Sequence, residues 1–140
     1  MKITKTLDVP RQFIFDKITE SSLYDIKQHT GKTPKISSLT GFEYQKKFGK
    51  NQSGKIEFDE VTEPSVYAFT TKTNRNTFKT RWELHKIDDQ STDVVIAEES
   101  QSSGMVQNIN DTVMAFMFGK LKKRQMLAIL DEISKAYNGR

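Results

Sequence analysis

From Thr80 to Glu99 the chain alternates apolar and polar side chains in two runs, split by Asp88-Asp89-Gln90-Ser91, and a long apolar-rich segment from roughly Asp111 to Tyr137 follows. A period of two marks a half-buried strand, and the polar cluster between the runs marks a turn. Successive antiparallel strands closed by one long helix make an α+β fold in which a curved sheet grips the helix, with room for a ligand between them.

The remainder of the chain repeats this logic. Met1 to Val9 alternates with Ile3, Leu7 and Val9 on one face, as a first strand would. Pro10 suits the first turn of a helix, and Phe13, Ile14 and Ile18 follow at helical spacing. Ser21 and Ser22 are read as the start of a second short helix, with Asp25 three residues after Ser22, and Gly31 and Pro34 end it. Phe42, Tyr44 and Phe48 alternate up to a turn at Asn51-Gln52-Ser53-Gly54, which leads into Ile56, Phe58 and Val61. The step from Phe58 to Val61 breaks strict alternation and predicts a bulge. Glu63-Pro64-Ser65 and Asn74-Arg75-Asn76 are the next two turns. The expected order is one strand, two short helices, five further antiparallel strands and a closing helix, or about six strands in a single domain spanning residues 1–140.

The totals narrow the function classes. Only 35% of residues are apolar, so the core must be drawn from alternating positions. The absence of cysteine removes disulfides and thiolate metal sites. The alternating N-terminus is not a signal peptide, and no run nears the ~18 apolar residues that span a bilayer, so a cytoplasmic protein without membrane insertion is expected. A net charge of +4, scattered except for Lys46-Lys47 and the Lys120–Arg124 cluster, tolerates acidic partners without calling for nucleic acid.

Val9-Pro10 opening the first helix, Val61-Thr62-Glu63-Pro64 before a strand, Thr80-Arg81-Trp82-Glu83-Leu84 and Thr92-Asp93-Val94-Val95-Ile96 together resemble the START-like superfamily. This is the helix-grip fold of birch-pollen-allergen-like and polyketide-cyclase-like proteins. The resemblance covers nearly the whole chain and is closest to small, uncharacterised bacterial members. It implies a hydrophobic cavity between sheet and helix, of the kind that carries lipids, sterols or polyketides and in a minority of members houses catalysis. It transfers no catalytic residue.

The closing helix has an uneven wheel at 100° per residue. Met126, Ile129, Leu130, Ile133 and Tyr137 form one stripe, which runs back into Gly119, Ala115 and Thr112, while Met114, Met117, Phe118 and Leu121 are rotated away from it. Either the small residues face the sheet and leave a cavity, or the helix bends near Gly119 and both faces meet the sheet in turn. Met105, Met114, Met117 and Met126 suit an adaptable apolar wall as well as an ordinary core.

Chemical groups are sparse. His85 falls on the strand face opposite Trp82 and Leu84, and His29 lies near Gly31, so both are expected at the surface. No histidine spacing fits a metal site, and no cofactor is expected. Gly31-Lys32-Thr33 lacks the upstream glycine of a phosphate loop, with Ile26 in its place. Glu98 continues the alternation of Val94 and Ile96, so it either faces the apolar cavity or meets water at the sheet rim. Arg81 and Tyr44 are candidates for a ligand head group.

The favoured reading is a binding protein for a hydrophobic small molecule. Its cavity candidates are Tyr44, Phe58, Phe69, Trp82, Ile96 and Glu98 on the sheet, with Met114, Met117 and Phe118 on the helix. The alternatives are a cyclase- or hydratase-type enzyme using Glu98 or His85, and a co-chaperone-like interaction module that forms a homodimer through the helix.

Overall fold

The computed structural model describes residues 1–49, 52–74, 76–102 and 109–138, with the backbone alone at 48–49, 52, 101–102 and 109–122. The elements are β1 (Lys2–Leu7), α1 (Arg11–Thr30), a 3-10 turn (Ile36–Ser38), β2 (Glu43–Gly49), β3 (Gln52–Thr62), β4 (Val66–Thr73), β5 (Asn76–Asp88), β6 (Ser91–Ser102) and α2 (Ile109–Asn138). All six strands lie in one curved antiparallel sheet of order β1-β6-β5-β4-β3-β2. The α+β helix-grip architecture is therefore the one the alternation predicts. No helix among the described residues is long and apolar enough to cross a membrane.

The two short helices expected after β1 are a single helix of 20 residues. The correction has a local cause. Ser21 and Ser22 do not cap a new helix; their hydroxyls donate to the carbonyls of Lys17 and Ile18, four residues back, at 3.1 and 3.2 Å. Thr19 and Thr30 do the same to Phe15 and Ile26. Hydroxyls that return to the i−4 carbonyl are compatible with an uninterrupted helix. Pro10, extended at φ −61° and ψ 142°, begins α1, and Gly31 in the left-handed region at φ 75° ends it, its N–H donating to the Lys27 carbonyl. Phe13, Ile14, Phe15, Ile18, Thr19 and Ile26 form its buried face.

Register explains how so few apolar residues build a core. Ile3, Ile96, Trp82 and Tyr67 stand in one row across β1, β6, β5 and β4, and Glu98, Thr80, Phe69 and Phe58 stand in the next, across β6 to β3. A third row holds Ser100, Phe78, Thr71, Ile56 and Tyr44. All point to the inner face, since side chains alternate at a period of two. The expected bulge is present as a register shift between Phe58 and Glu60. The extra residue lets both Phe58 and Val61 face inward despite their odd separation.

The C-terminal half of α2 closes one end of this face. Met126, Leu130 and Ile133 are buried, and Tyr137 meets Phe13 of α1 edge-on at 5.1 Å. The Tyr137 hydroxyl donates to Gln90 Oε1 at 3.0 Å, which ties the end of α2 to the β5–β6 turn. The last residues of α2 therefore lie at the end of the sheet where β6 begins. Ile129, expected in the apolar stripe, is 44% exposed at its edge. The backbone of α2 is helical through Gly119, while Met105 and the side chains of Thr112 and Ala115 lie outside the described residues.

The two neighbouring residues of α2 give a direct check. Leu130→Ala is expected to lower unfolding stability by about 2–4 kcal/mol through loss of contacts and a residual cavity. Ile129→Ala is expected to cost under about 1 kcal/mol. Urea unfolding of both variants measures the difference.

Candidate functional site

The inner face carries a connected aromatic surface. Tyr44 and Phe58 stack at 6.4 Å, Phe58 meets Phe69 at 6.3 Å and Tyr67 at 6.0 Å, and Tyr67 meets Phe69 at 5.5 Å. These distances follow from register, because rings on adjacent strands fall within the range of edge and offset contacts. The six sheet residues expected to line a cavity thus share one face. They are not equally covered. Tyr44, Phe58, Trp82 and Ile96 are buried, while Phe69 and Glu98 are half-buried, as is the neighbouring Phe78. The less-covered part of the wall is therefore the patch of Phe69, Phe78 and Glu98 around the buried Thr80. The side chains of Met114, Met117 and Phe118 lie outside the described residues.

Glu98 is the one carboxylate in this patch. Thr80, its cross-strand partner, donates its hydroxyl to Glu98 Oε2 at 3.0 Å. The main chain of Glu98 is engaged by β1: its N–H donates to the Met1 carbonyl at 2.8 Å, and the Met1 ammonium donates to the Glu98 carbonyl at 2.9 Å. Glu98 is thus on the inner face and also close to the start of β1.

A second polar group lies at the opposite edge. Asp25 of α1 accepts a hydrogen bond from the Tyr44 hydroxyl at 2.5 Å and pairs with Lys46 Nζ, 3.0 Å from each carboxylate oxygen. His29 Nδ1 is 3.6 Å from the same carboxylate. One helical turn earlier, the hydroxyls of Ser22 and Tyr67 are hydrogen-bonded. Partial burial acts to raise the Asp25 pKa, but the bonds from Tyr44 and Lys46 outweigh it and hold the carboxyl below its ordinary value. Tyr44 is pushed up by burial and by its bond to Asp25. Tyr67 is pushed up to about 12, chiefly by burial, against a lowering effect of its Ser22 bond. Both phenols therefore keep their protons at neutral pH. This cluster polarises the α1 edge of the wall and latches α1 to β2 and β4.

The outer face is different in character. Arg81 donates to Glu83 at 2.7 Å and to Glu60 at 3.0 Å, and His85 Nε2 lies 3.2 Å from Glu83. The bonds from Arg81 and His85 hold the Glu83 pKa below its ordinary value. Arg81 therefore faces away from the aromatic wall, which removes it as a head-group partner there. His85 is exposed, as its parity with Arg81 and Glu83 predicts. A surface groove of about 480 Å³ near Arg11, Ser65, Arg81 and His85 is separate from the inner patch. Among the described residues, no cluster of three or more His, Asp or Glu side chains is arranged to hold a metal ion.

The Asp25 cluster has a testable pH signature. Because the folded-state pKa is lowered, its stabilisation is complete above the ordinary aspartate value and is lost as pH falls through the folded value. Asp25→Asn is expected to cost about 1–2 kcal/mol near neutral pH, a range that allows for the partial exposure of the pair. The gap from wild type should shrink below about pH 4. Urea midpoints across that pH range measure it.

No curated protein matches the chain. A conserved protein from Geobacillus kaustophilus is 14% identical, with 96% of this chain and 95% of that one covered at a TM-score of 0.58. The Zhui aromatase/cyclase from Streptomyces sp. R1128 is 11% identical, with 97% and 91% covered at a TM-score of 0.55. The di-domain aromatase/cyclase StfQ of the steffimycin biosynthetic pathway is 13% identical, with 97% of this chain and 44% of that one covered at a TM-score of 0.53. These likenesses show a START-like, polyketide-cyclase-like fold. Residues 1–119 match the model of the family described as "Domain of unknown function (DUF3284)", and the chain belongs to that family.

Proposed function

We propose that this protein binds a small hydrophobic or lipid-like molecule between the inner face of its sheet and α2. The observation that carries the reading is the contiguous patch of Phe69, Phe78 and Glu98, which stays half-buried while the aromatic wall beside it is buried. A closed core would cover this patch as fully as it covers Phe58 or Ile96. The proposed wall consists of Tyr44, Phe58, Phe69, Trp82, Ile96 and Glu98, faced by Met114, Met117 and Phe118 from the first half of α2. Affinity would come from apolar burial at about 25 cal/mol per Å², reduced by the cost of ordering the ligand.

The solved aromatase/cyclases of the same fold support this reading at the level of architecture. Acid–base chemistry of a cyclase or hydratase kind is a second reading. It rests on Glu98 alone, because Glu98 stands on the inner wall while His85 stands on the outer face.

Native mass spectrometry of gently purified protein is expected to reveal a bound apolar species or, after delipidation, uptake of the neutral dye Nile red with a rise in melting temperature. Phe69→Ser should weaken dye binding about tenfold, equivalent to roughly 55 Å² of lost apolar contact. Protein with no bound species, no dye uptake and no thermal shift would contradict the proposal.

A further inference from the structure

The net charge of +4 is not spread evenly over the fold. Residues 44–56 contain Lys46, Lys47, Lys50 and Lys55, and residues 64–82 contain Lys72, Arg75, Lys79 and Arg81, with no aspartate or glutamate in either stretch. The rest of the chain has 14 Lys and Arg against 18 Asp and Glu, so it is net acidic. Topology brings the two basic stretches together. They belong to the hairpins β2–β3 and β4–β5, and neighbouring hairpins of one antiparallel sheet turn at the same end.

Register sharpens the asymmetry. Lys55 stands directly across from Lys72, in an outer-face row completed by Gln45, Thr77 and Gln101. Like charges directly opposite on adjacent strands destabilise a sheet. Lys47 stands beyond them, opposite Ser53, and Lys79 one row back, opposite Thr70. Glu43 reaches Lys55 at 3.2 Å, whereas Lys47, Lys72 and Lys79 are exposed and form no ion pair among the described residues. Glu43, Glu57 and Glu99 all lie in the row of Lys79, farther from the hairpin turns. The lysine-rich end is therefore an uncompensated positive surface whose repulsion an anionic partner would relieve.

We infer that this end of the sheet docks on an anionic membrane surface, through the charged head groups of its lipids. The lysines spread over two hairpins instead of converging on one point, which suits a layer of head groups better than a single bound anion. The outer-face positions beside them are Gln45, Ser53 and Thr77, which offer no ring on which a nucleic-acid base would stack. Phe78 lies between Thr77 and Lys79 on β5, so the half-buried inner patch is directly behind this end of the sheet. Docking there would set the proposed ligand site beside a source of lipid-like molecules. The docking surface follows from the charge distribution and does not depend on the ligand-binding reading.

Co-sedimentation of the full chain with vesicles tests this. Binding to phosphatidylcholine–phosphatidylserine vesicles at low salt is expected to be at least about tenfold tighter than to phosphatidylcholine alone. It should vanish near about 1 M salt, where screening acts within about 3 Å. Lys55→Gln, Lys72→Gln and Lys79→Gln combined should weaken binding at least about tenfold, while Lys17→Gln with Lys135→Gln should change it less than about twofold. Thermal melts report folding; if the triple variant does not fold, the lipid and salt dependence of wild type and the binding of Lys72→Gln decide the matter. Equal binding to both vesicles, no binding to either, or a folded triple variant that binds like wild type would overturn the assignment. So would binding of a DNA or RNA duplex without vesicle binding, which would make nucleic acid the partner. Nile red uptake should persist in the folded triple variant, and its loss would place these lysines in the support of the inner site and overturn the docking surface. Failed vesicle binding with Nile red uptake intact would overturn docking alone.

Discussion

The inner face of the sheet is the surface on which the rest of the molecule depends. Six antiparallel strands place nearly all of their large apolar side chains on one side, and such a face must be covered to be stable in water. Two helices share the task. The buried face of α1 takes one part, and Met126, Leu130 and Ile133 of α2 take another, joined where Phe13 meets Tyr137. The patch around Phe69, Phe78 and Glu98 is covered less completely than its neighbours.

Polar groups sit at opposite ends of this wall and serve different purposes. The Asp25, Tyr44 and Lys46 cluster connects α1 to β2 with a charge-assisted bond and an ion pair, which fixes how the helix lies against the sheet edge. Glu98 and Thr80 connect two strands already joined by the ladder, so their side chains are not needed to hold β5 and β6 together.

Much of this was legible in the sequence, because strand alternation is a local signal. The inward set of Tyr44, Phe58, Phe69, Trp82, Ile96 and Glu98, the bulge after Phe58 and the outward parity of His85 all follow from a period of two. The continuity of α1 was less legible, because Ser21 and Ser22 carry the chemistry of a helix cap and of an i−4 bond equally well. Ile129 was misassigned by a wheel that sees angle but not the width of the surface facing it. The Asp25 cluster had no sequence signal. It joins a helix to strands about twenty residues or more away, and nothing local links Asp25 to Lys46 or Ser22 to Tyr67.

The outer face offers a useful contrast, since its groove is bordered by the charged side chains of Arg11, Arg81, Glu83 and Lys86 where the inner patch is aromatic. The two surfaces predict ligand contacts on opposite sides of one sheet. Isotope-edited NMR of labelled protein with an unlabelled alkyl alcohol distinguishes them directly. The account predicts intermolecular Overhauser effects from the alkyl chain to the ring protons of Phe69 and Phe78 and to the Trp82 indole. Effects confined to Arg11, His85 and their neighbours, or none at all from a saturating ligand, would contradict it.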